Sequence, residues 1–280
     1  MDTGFSFSGE LLGALTVLFA VCILVPVMYY VWNVYRRRLS HIAILGGLAA
    51  FFLFGFVLSQ GLLRSLAPAS AQESGPWGYA LLSAAVSAAC DVGGIFLGLL
   101  LLHRQQGTIR VPTGFGLGYR VFEMFYLGGM NAFIRLSYVM NVNNDGLEAV
   151  LQQVEEGQRA SLELLLRNLG ESSVGIFWLS AVDYAVRFAL TVALTRLLWY
   201  AVEGGRKPAD KRFLALAFGL DLFCELMLSL KAAGASYVLC ASVYYVLAAL
   251  ALCLSYYAAR QRDDPEALRG DRLPGKIRRR

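Results

Sequence analysis

The run GYALLSAAVSAACDVGGIFLGLLLL, Gly78–Leu102, decides the class of this protein. It contains a single charged residue, Asp91, and exceeds the about 20 apolar residues that cross a bilayer as a helix. Across the 280-residue chain 57% of residues are hydrophobic and 16% are charged, whereas soluble domains have about 45–50% and about 25%. We therefore predict an all-α, multi-pass protein of the cell membrane. The same composition excludes a disordered chain, a disulfide scaffold and a nucleic-acid-binding module.

Six further stretches have the length and hydropathy of a membrane span. The first follows residues 1–10, which carry two acids and no basic residue, so we do not expect a cleavable signal peptide. The sixth is short and carries two acids, so it is either a full span or a re-entrant segment. The seven predicted spans are Leu11–Val34, Ile42–Leu63, Gly78–Leu102, Gly114–Met140, Val174–Tyr200, Phe213–Leu230 and Tyr237–Ala259.

The distribution of Lys and Arg predicts the orientation. Most of the 25 basic residues lie in the loops after spans one, three and five and in the C-terminal tail. Cytoplasmic loops carry this excess, so the N-terminus is predicted outside and the C-terminus in the cytoplasm. The predicted organisation is a helix bundle over residues 1–259 and a basic cytoplasmic tail over 260–280. The opposite side has only Arg64, Arg159, Arg167 and Lys231.

The longest predicted outer loop, Asn141–Ser173, has a helical pattern of its own. Two sets of apolar residues with i, i+3, i+4, i+7 spacing flank Gly157. This spacing predicts one or two amphipathic helices at about 145–170, on the outer membrane interface. They would form a surface cap over the bundle, or a lid or docking element. The two sets are Leu147, Val150, Leu151 and Val154, and Leu162, Leu165, Leu166 and Leu169.

Ionisable residues within the spans mark the candidate site. A charge near the bilayer centre costs about 2.5–3.5 kcal/mol on insertion scales, so such a side chain should face inward, pair or be neutral. Arg135 and Arg196 lie near span ends and can reach the membrane surface. The deeper ionisable residues are Asp91, Arg120, Glu123, Asp183, Arg187, Asp221 and Glu225.

Four of these carboxyl groups lie at a similar depth, within about one helical turn of each other at 1.5 Å per residue. We therefore predict that they face one interior site. Arg120 and Arg187 are the only deep cations, so at least one carboxyl should carry a proton at neutral pH. Arg187 is predicted to pair with Asp183 or with an acid of span three. The four carboxyl groups are those of Asp91, Glu123, Asp221 and Glu225.

Such a cluster fits several roles. It could be an ion-pair network that only locks the bundle, a path for protons or ions, a metal site, or an acid–base catalyst. Both histidines, His41 and His103, lie outside the predicted spans, and no zinc-binding motif is present. We predict no metal and no cofactor. The predicted partners are the lipid bilayer and a transmembrane peptide or lipidic ligand, and no nucleic acid.

Three short motifs resemble the YhfC-like family of predicted glutamic-type intramembrane proteases, relatives of the CAAX-processing group. That family has Glu-Glu-x-x-Arg on one span, and Cys90, Asp91 and Gly94 occupy these positions here. It then has Gly-His-Gly-x-x-Glu, which here is Gly118-Tyr-Arg-Val-Phe-Glu123 with Tyr119 at the histidine. The later His-x-x-x-Asp pair would match Asp221 and Glu225. The resemblance covers residues 78–230.

The resemblance implies a membrane-embedded peptidase. Glu123 or Asp91 would act as general base on a water molecule, Arg120 or Arg187 would balance charge, and Tyr119 could donate a hydrogen bond to an oxyanion. Asp183, Asp221, Glu225 and Arg187 would line the cavity. Because three motif positions depart from the family pattern, we predict lost or altered peptidase activity. A proton- or cation-linked permease and a structural membrane subunit are the alternatives.

Overall fold

A computed structural model describes residues 6–36, 38–73, 75–103, 110–204 and 208–261. Every regular element among these residues is a helix, so the predicted all-α class is confirmed. Two stretches have the wider hydrogen-bonding turn of a π-helix, and we name them π1 and π2. The helices are α1 Gly9–Tyr35, α2 His41–Ala50, π1 Phe51–Leu58, α3 Ser59–Glu73, α4 Gly75–His103, α5 Arg110–Phe122, π2 Glu123–Met130, α6 Asn131–Asp145, α7 Leu147–Gln152, α8 Glu156–Glu171, α9 Val174–Gly204, α10 Pro208–Ala232 and α11 Tyr237–Gln261.

Six helices in the described part of the chain are long and apolar enough to span a membrane. The predicted fourth span, Gly114–Met140, lies within the helical stretch of α5, π2 and α6 and is not among the six. Its glycines and tyrosines, together with Arg120 and Glu123, lower its hydropathy. The number seven and the orientation of the termini stay predictions. The six are Gly9–Tyr35, His41–Leu66, Gly75–His103, Val174–Glu203, Lys211–Ala232 and Tyr237–Arg260.

Local sequence signals explain several helix ends. Ser40 caps α2, because its hydroxyl accepts a hydrogen bond from the Ala43 amide at 3.4 Å. Gly146 ends α6 with φ +86°, a backbone conformation that other residues rarely adopt. The sixth predicted span lies within α10, which is helical from Pro208 to Ala232 and long enough for a full span.

The chain divides into two compact units, which we describe separately. The first unit comprises the described parts of 1–28 and 122–186, and its core is apolar. The Asn143 side chain ties the N-terminal segment to α6, accepting from the Phe7 amide at 2.7 Å and donating to the Phe7 carbonyl at 3.1 Å. The predicted amphipathic segment forms α7 and α8. Leu162, Leu166 and Leu169 of α8 are buried, whereas Leu165 is 42% exposed.

The second unit comprises the described parts of 29–121 and 187–280. In it, α10 packs against α4 and α11, and α4 also packs against α2, π1 and α3. Glycines let α2 and α5 approach closely, since a Cβ at Gly118 would strike the Ile44 carbonyl and one at Gly47 would strike the Phe115 carbonyl. The second unit therefore holds α4, α5 and α10 as packed helices. Most of the predicted basic tail lies outside the described residues.

Candidate functional site

Asp91, in the middle of α4, is the centre of a buried polar cluster in the second unit. The Arg120 Nη2 atom donates to Asp91 Oδ2 at 2.6 Å, and the Tyr119 hydroxyl donates to Asp91 Oδ1 at 2.9 Å. The Arg120 Nε atom also donates to the Thr191 hydroxyl at 2.6 Å. The side chains of Arg120 and Asp91 are 3% and 7% exposed. A desolvated ion pair therefore joins α4 to α5, and a hydrogen bond joins α5 to α9.

Close packing holds Asp91 and Tyr119 in place. Tyr119 is fully buried, and its ring makes an edge contact with Phe51 at a centroid distance of 5.4 Å. A Cβ at Gly55 would lie 3.2 Å from Asp91 Oδ1, so the absence of a side chain in π1 leaves room for the carboxylate. Phe51 and Gly55 of π1 thus pack against Tyr119 and Asp91.

A second ion pair joins α9 to α10. The Arg187 Nη2 atom donates to Glu225 Oε1 at 2.5 Å, and the arginine side chain is 26% exposed. The sequence predicted Asp183 or an acid of the third span as the partner of Arg187, and Glu225 was not named. Depth along a span does not reveal which way a side chain points around its helix, and packing of α9 against other helices decides that. Glu225 is thus a partner that the sequence analysis did not name, and the pairing of Arg187 with Asp183 or with an acid of the third span stays a prediction.

Asp221 lies one turn before Glu225 on α10 and is 1% exposed. It interacts electrostatically with Asp91 and Glu225, and with the two arginines of the cluster, Arg120 and Arg187. Its Oδ2 atom has no hydrogen-bond partner among the described residues. The second unit therefore brings together three of the four carboxyl groups predicted to share a site.

The remaining predicted residues, Glu123 and Asp183, belong to the first unit. Glu123 is the first residue of π2, three positions after Arg120 along the chain, and is 7% exposed. It interacts electrostatically with Cys22 of α1. Its place in a site with the other three carboxyl groups stays a prediction. Short π-helical segments are frequent at functional positions, and π2 begins at this glutamate.

Two polar residues of this cluster were missed by the sequence analysis. Thr191 accepts the Arg120 Nε hydrogen bond and donates its own hydroxyl to the Arg187 carbonyl at 3.0 Å. Tyr244 of α11 is buried and interacts electrostatically with Arg120 and Arg187. Neither is charged, so the search for ionisable residues passed over both. Thr191 could have been found from its position one turn after Arg187.

A multi-pass helical membrane protein with a buried, ion-paired polar cluster is the class that this fold and site define. The sequence pattern of the YhfC intramembrane metalloprotease family matches residues 21–247. The chain therefore belongs to this family, as its motifs predicted. No curated protein and no solved structure matches the chain.

The family name implies a metal ion, and the side chains that the structure describes do not fit one. Within the described ranges, no group of three or more His, Cys, Asp or Glu side chains could hold a metal. His41 and His103 lie at the first residue of α2 and the last residue of α4, away from the acids in the sequence. Asp91 and Glu225 each hold a guanidinium, whose positive charge repels a metal ion.

The departures from the family motifs now have a physical description. Tyr119 and Arg120 replace the histidine and second glycine of the motif, and both bond to Asp91. Gly94 stands at the arginine position, where a Cβ would lie 2.7 Å from Phe54 Cβ. A side chain at position 94 therefore requires glycine at position 54 or a shift of π1 away from α4. Tyr119 and Arg120 therefore occupy both oxygens of Asp91.

Proposed function

We propose that this protein is a cell-membrane member of the YhfC family that binds a membrane-embedded peptide segment or a lipidic ligand, with peptide hydrolysis lost or altered. The family match supports the scaffold and the kind of ligand. The single observation that supports the loss of hydrolysis is that both carboxylate oxygens of Asp91 accept hydrogen bonds from side chains of this protein.

Both oxygens of Asp91 are engaged. A general base must accept a proton from water, so it needs an available lone pair facing that water and an environment that tolerates its protonation. Asp91 Oδ1 accepts from Tyr119 and Oδ2 accepts from Arg120, so each oxygen already binds a donor of this chain. The Tyr119 hydroxyl proton points at Asp91, so it would have to leave that bond to serve an oxyanion. Glu123 is thus the remaining candidate base.

A cleavage assay tests the loss of hydrolysis. The full-length protein would be reconstituted in vesicles with a fluorogenic peptide that spans the bilayer, and cleavage followed for the wild type, Glu123→Gln and the exposed-site control Glu163→Gln. We expect no cleavage above that of empty vesicles. Cleavage that disappears in Glu123→Gln alone would show a working protease with Glu123 as its base. Cleavage that persists in Glu123→Gln would remove the catalytic assignment as well.

A restored variant sharpens the assay. Cys90→Glu, Tyr119→His and Arg120→Gly together return three motif positions and release both Asp91 oxygens. Gly94→Arg can be added only with Phe54→Gly, because the nearest atom to a Cβ at position 94 is Phe54 Cβ. We expect these combinations to gain cleavage over the wild type. A folded restored variant without any gain would contradict the idea that these departures removed activity.

Ligand binding is tested separately from cleavage. A transmembrane peptide carrying a photoreactive group should label the wild-type protein, and an excess of unlabelled peptide should compete. The same experiment with a photoreactive phospholipid distinguishes a lipidic ligand. If neither probe gives competed labelling, the binding proposal fails and a purely structural role for the polar cluster is favoured.

Proton or cation transport is the second candidate function, and the buried, unpartnered oxygen of Asp221 favours it. Carboxyl groups within a membrane are typical of proton relays. Vesicles containing the protein and a pH-sensitive dye should then acidify after an external pH drop faster than empty vesicles. Asp221→Asn should remove that difference. Equal rates with and without the wild-type protein would exclude this candidate.

A further inference from the structure

We infer that Asp221 is a proton-binding site, a neutral carboxylic acid in the folded protein at neutral pH. This inference rests on the charge balance of the second unit and not on the proposed function. Uptake forms one O–H bond with a proton from bulk water and needs no other reactant.

Asp221 shares its two nearby cations with other carboxylates. The two guanidinium groups near it are bound to other carboxylates, Arg120 to Asp91 at 2.6 Å and Arg187 to Glu225 at 2.5 Å. Asp221 itself is 1% exposed, and its Oδ2 atom has no hydrogen-bond partner among the described residues. An isolated buried carboxylate costs far more free energy than a buried neutral carboxyl group.

The groups around Asp221 leave a deficit of one positive charge. Its neighbours contribute Asp91 from α4, Tyr119 and Arg120 from α5, Arg187 from α9, and Glu225 and Cys224 from its own helix. On α11, Tyr244 interacts with both arginines. The tyrosines and the cysteine are neutral when protonated, so three carboxyl groups face two guanidinium groups. One monovalent cation completes the balance.

A proton fits this position better than a metal ion. Hard cations require several oxygen ligands at once. Within the described ranges no group of three or more acidic, Cys or His side chains could hold a metal, and Asp221 is enclosed by protein. A proton needs a single oxygen and no additional volume.

Infrared spectroscopy of the full-length protein in vesicles tests the inference. At neutral pH the wild type should show a carbonyl stretch of a buried carboxylic acid, sensitive to deuterium exchange. Labelling the side-chain carboxyl carbon of aspartate with ¹³C should shift this band, and labelling that of glutamate should leave it. This comparison uses no substitution and therefore cannot be obscured by misfolding. Absence of the band, or a shift with glutamate labelling alone, would overturn the assignment.

Variants then identify the residue. Asp221→Asn should lose the band, and the matched control Asp145→Asn, at the end of α6, should keep it. Asp91→Asn releases Arg120 as a counter-ion for Asp221 and should also remove the band. A band that persists in Asp221→Asn places the proton on another group and overturns the inference.

A further experiment with sodium distinguishes a bound proton from a bound sodium ion. Exchanging choline for sodium at constant pH and ionic strength should change neither the band nor the unfolding temperature. A sodium-dependent loss of the band that Asp221→Asn abolishes would assign the site to a metal cation instead. The outcome is independent of peptide cleavage and ligand labelling, so failure here weakens only the transport candidate and leaves the proposed ligand binding standing.

Discussion

Two arginine–carboxylate pairs, one in each unit, have nearly the same nitrogen–oxygen distance, but one pair is buried and the other is exposed. Arg120 bonds to Asp91 at 2.6 Å in the second unit, and Arg167 bonds to Glu163 at 2.7 Å on α8 of the first. The side chains of the first pair are 3% and 7% exposed, and those of the second are 62% and 39% exposed. Distance is therefore no guide to what a pair contributes to stability, whereas burial is.

Exposed and buried ion pairs differ in stability because of what surrounds the carboxylate once its arginine is removed. Water solvates the carboxylate of an exposed pair as soon as the arginine is gone, so such pairs contribute about 0–1 kcal/mol. In a buried pair no water replaces the guanidinium, and the remaining charge is stranded. The pair Arg187–Glu225, with 26% and 9% exposure, lies between these limits. The three pairs form a graded series within one chain.

The largest effect is expected for Arg120→Leu. This substitution strands the Asp91 charge and should lower the free energy of unfolding by about 3–5 kcal/mol. Detergent-induced unfolding of the full-length protein, followed by helical circular dichroism, measures the change. Arg120→Leu with Asp91→Leu should recover most of the loss, because no buried charge remains. Equal stability of the single and the double variant would contradict the stranding of a buried charge.

The Arg187 pair should give an intermediate result. Arg187→Leu leaves Glu225 without this cation but still near the edge of the buried region, so we expect a loss of about 1–3 kcal/mol. Glu225→Leu should rescue it in the double variant. A rescue by Asp183→Leu and none by Glu225→Leu would restore the partner that the sequence predicted and contradict the bond in the structure.

Residue counting predicted which acids lie at a similar depth, but it could not predict the direction of a side chain around its helix. Counting residues from span ends placed Asp91, Asp221 and Glu225 at one level, and the second unit brings them together. The bond from Arg187 to Glu225 was not predicted, because rotation about the helix axis depends on side-chain packing that residue counting does not reveal. Hydropathy identifies helices but does not distinguish the π-helical turns π1 and π2 from α-helical ones.

Motif resemblance identified the family but not the chemistry of its replaced positions. The resemblance puts Tyr119 and Arg120 at the positions of the histidine and the second glycine of the motif. Only coordinates show that both bond to Asp91. The uncharged Thr191, which accepts from Arg120, gave no signal in a search for ionisable residues.

A smaller effect is expected for Tyr119→Phe, which removes a hydrogen bond and keeps the ion pair. The ring contacts with Phe51 and Phe115 remain, and Asp91 retains Arg120. A hydrogen bond to a charged acceptor contributes about 1.5–3 kcal/mol, and a loss near the lower end is expected because Asp91 keeps one partner. The same unfolding experiment measures it. A loss as large as that of Arg120→Leu would assign the stability of the cluster to the hydroxyl.

The smallest effect is expected for Arg167→Gln, which tests the exposed end of the comparison. Arg167 follows Glu163 by four residues on α8, and such helix pairs contribute about 0.3–0.5 kcal/mol. Glutamine preserves helix propensity and much of the side-chain volume, so the change isolates the charge. The unfolding free energy should fall by less than about 0.5 kcal/mol.

Ionic strength adds a second measurement to this last comparison. Salt screens exposed charges over about 8–10 Å but screens buried pairs much less. The small deficit of Arg167→Gln should therefore vanish at high salt, whereas that of Arg120→Leu should persist unchanged. A salt-independent loss in Arg167→Gln above about 1 kcal/mol would mean that this face of α8 is desolvated in the membrane. Arg167 would then belong with the buried pairs, and exposure in the isolated chain would no longer separate the two kinds of ion pair.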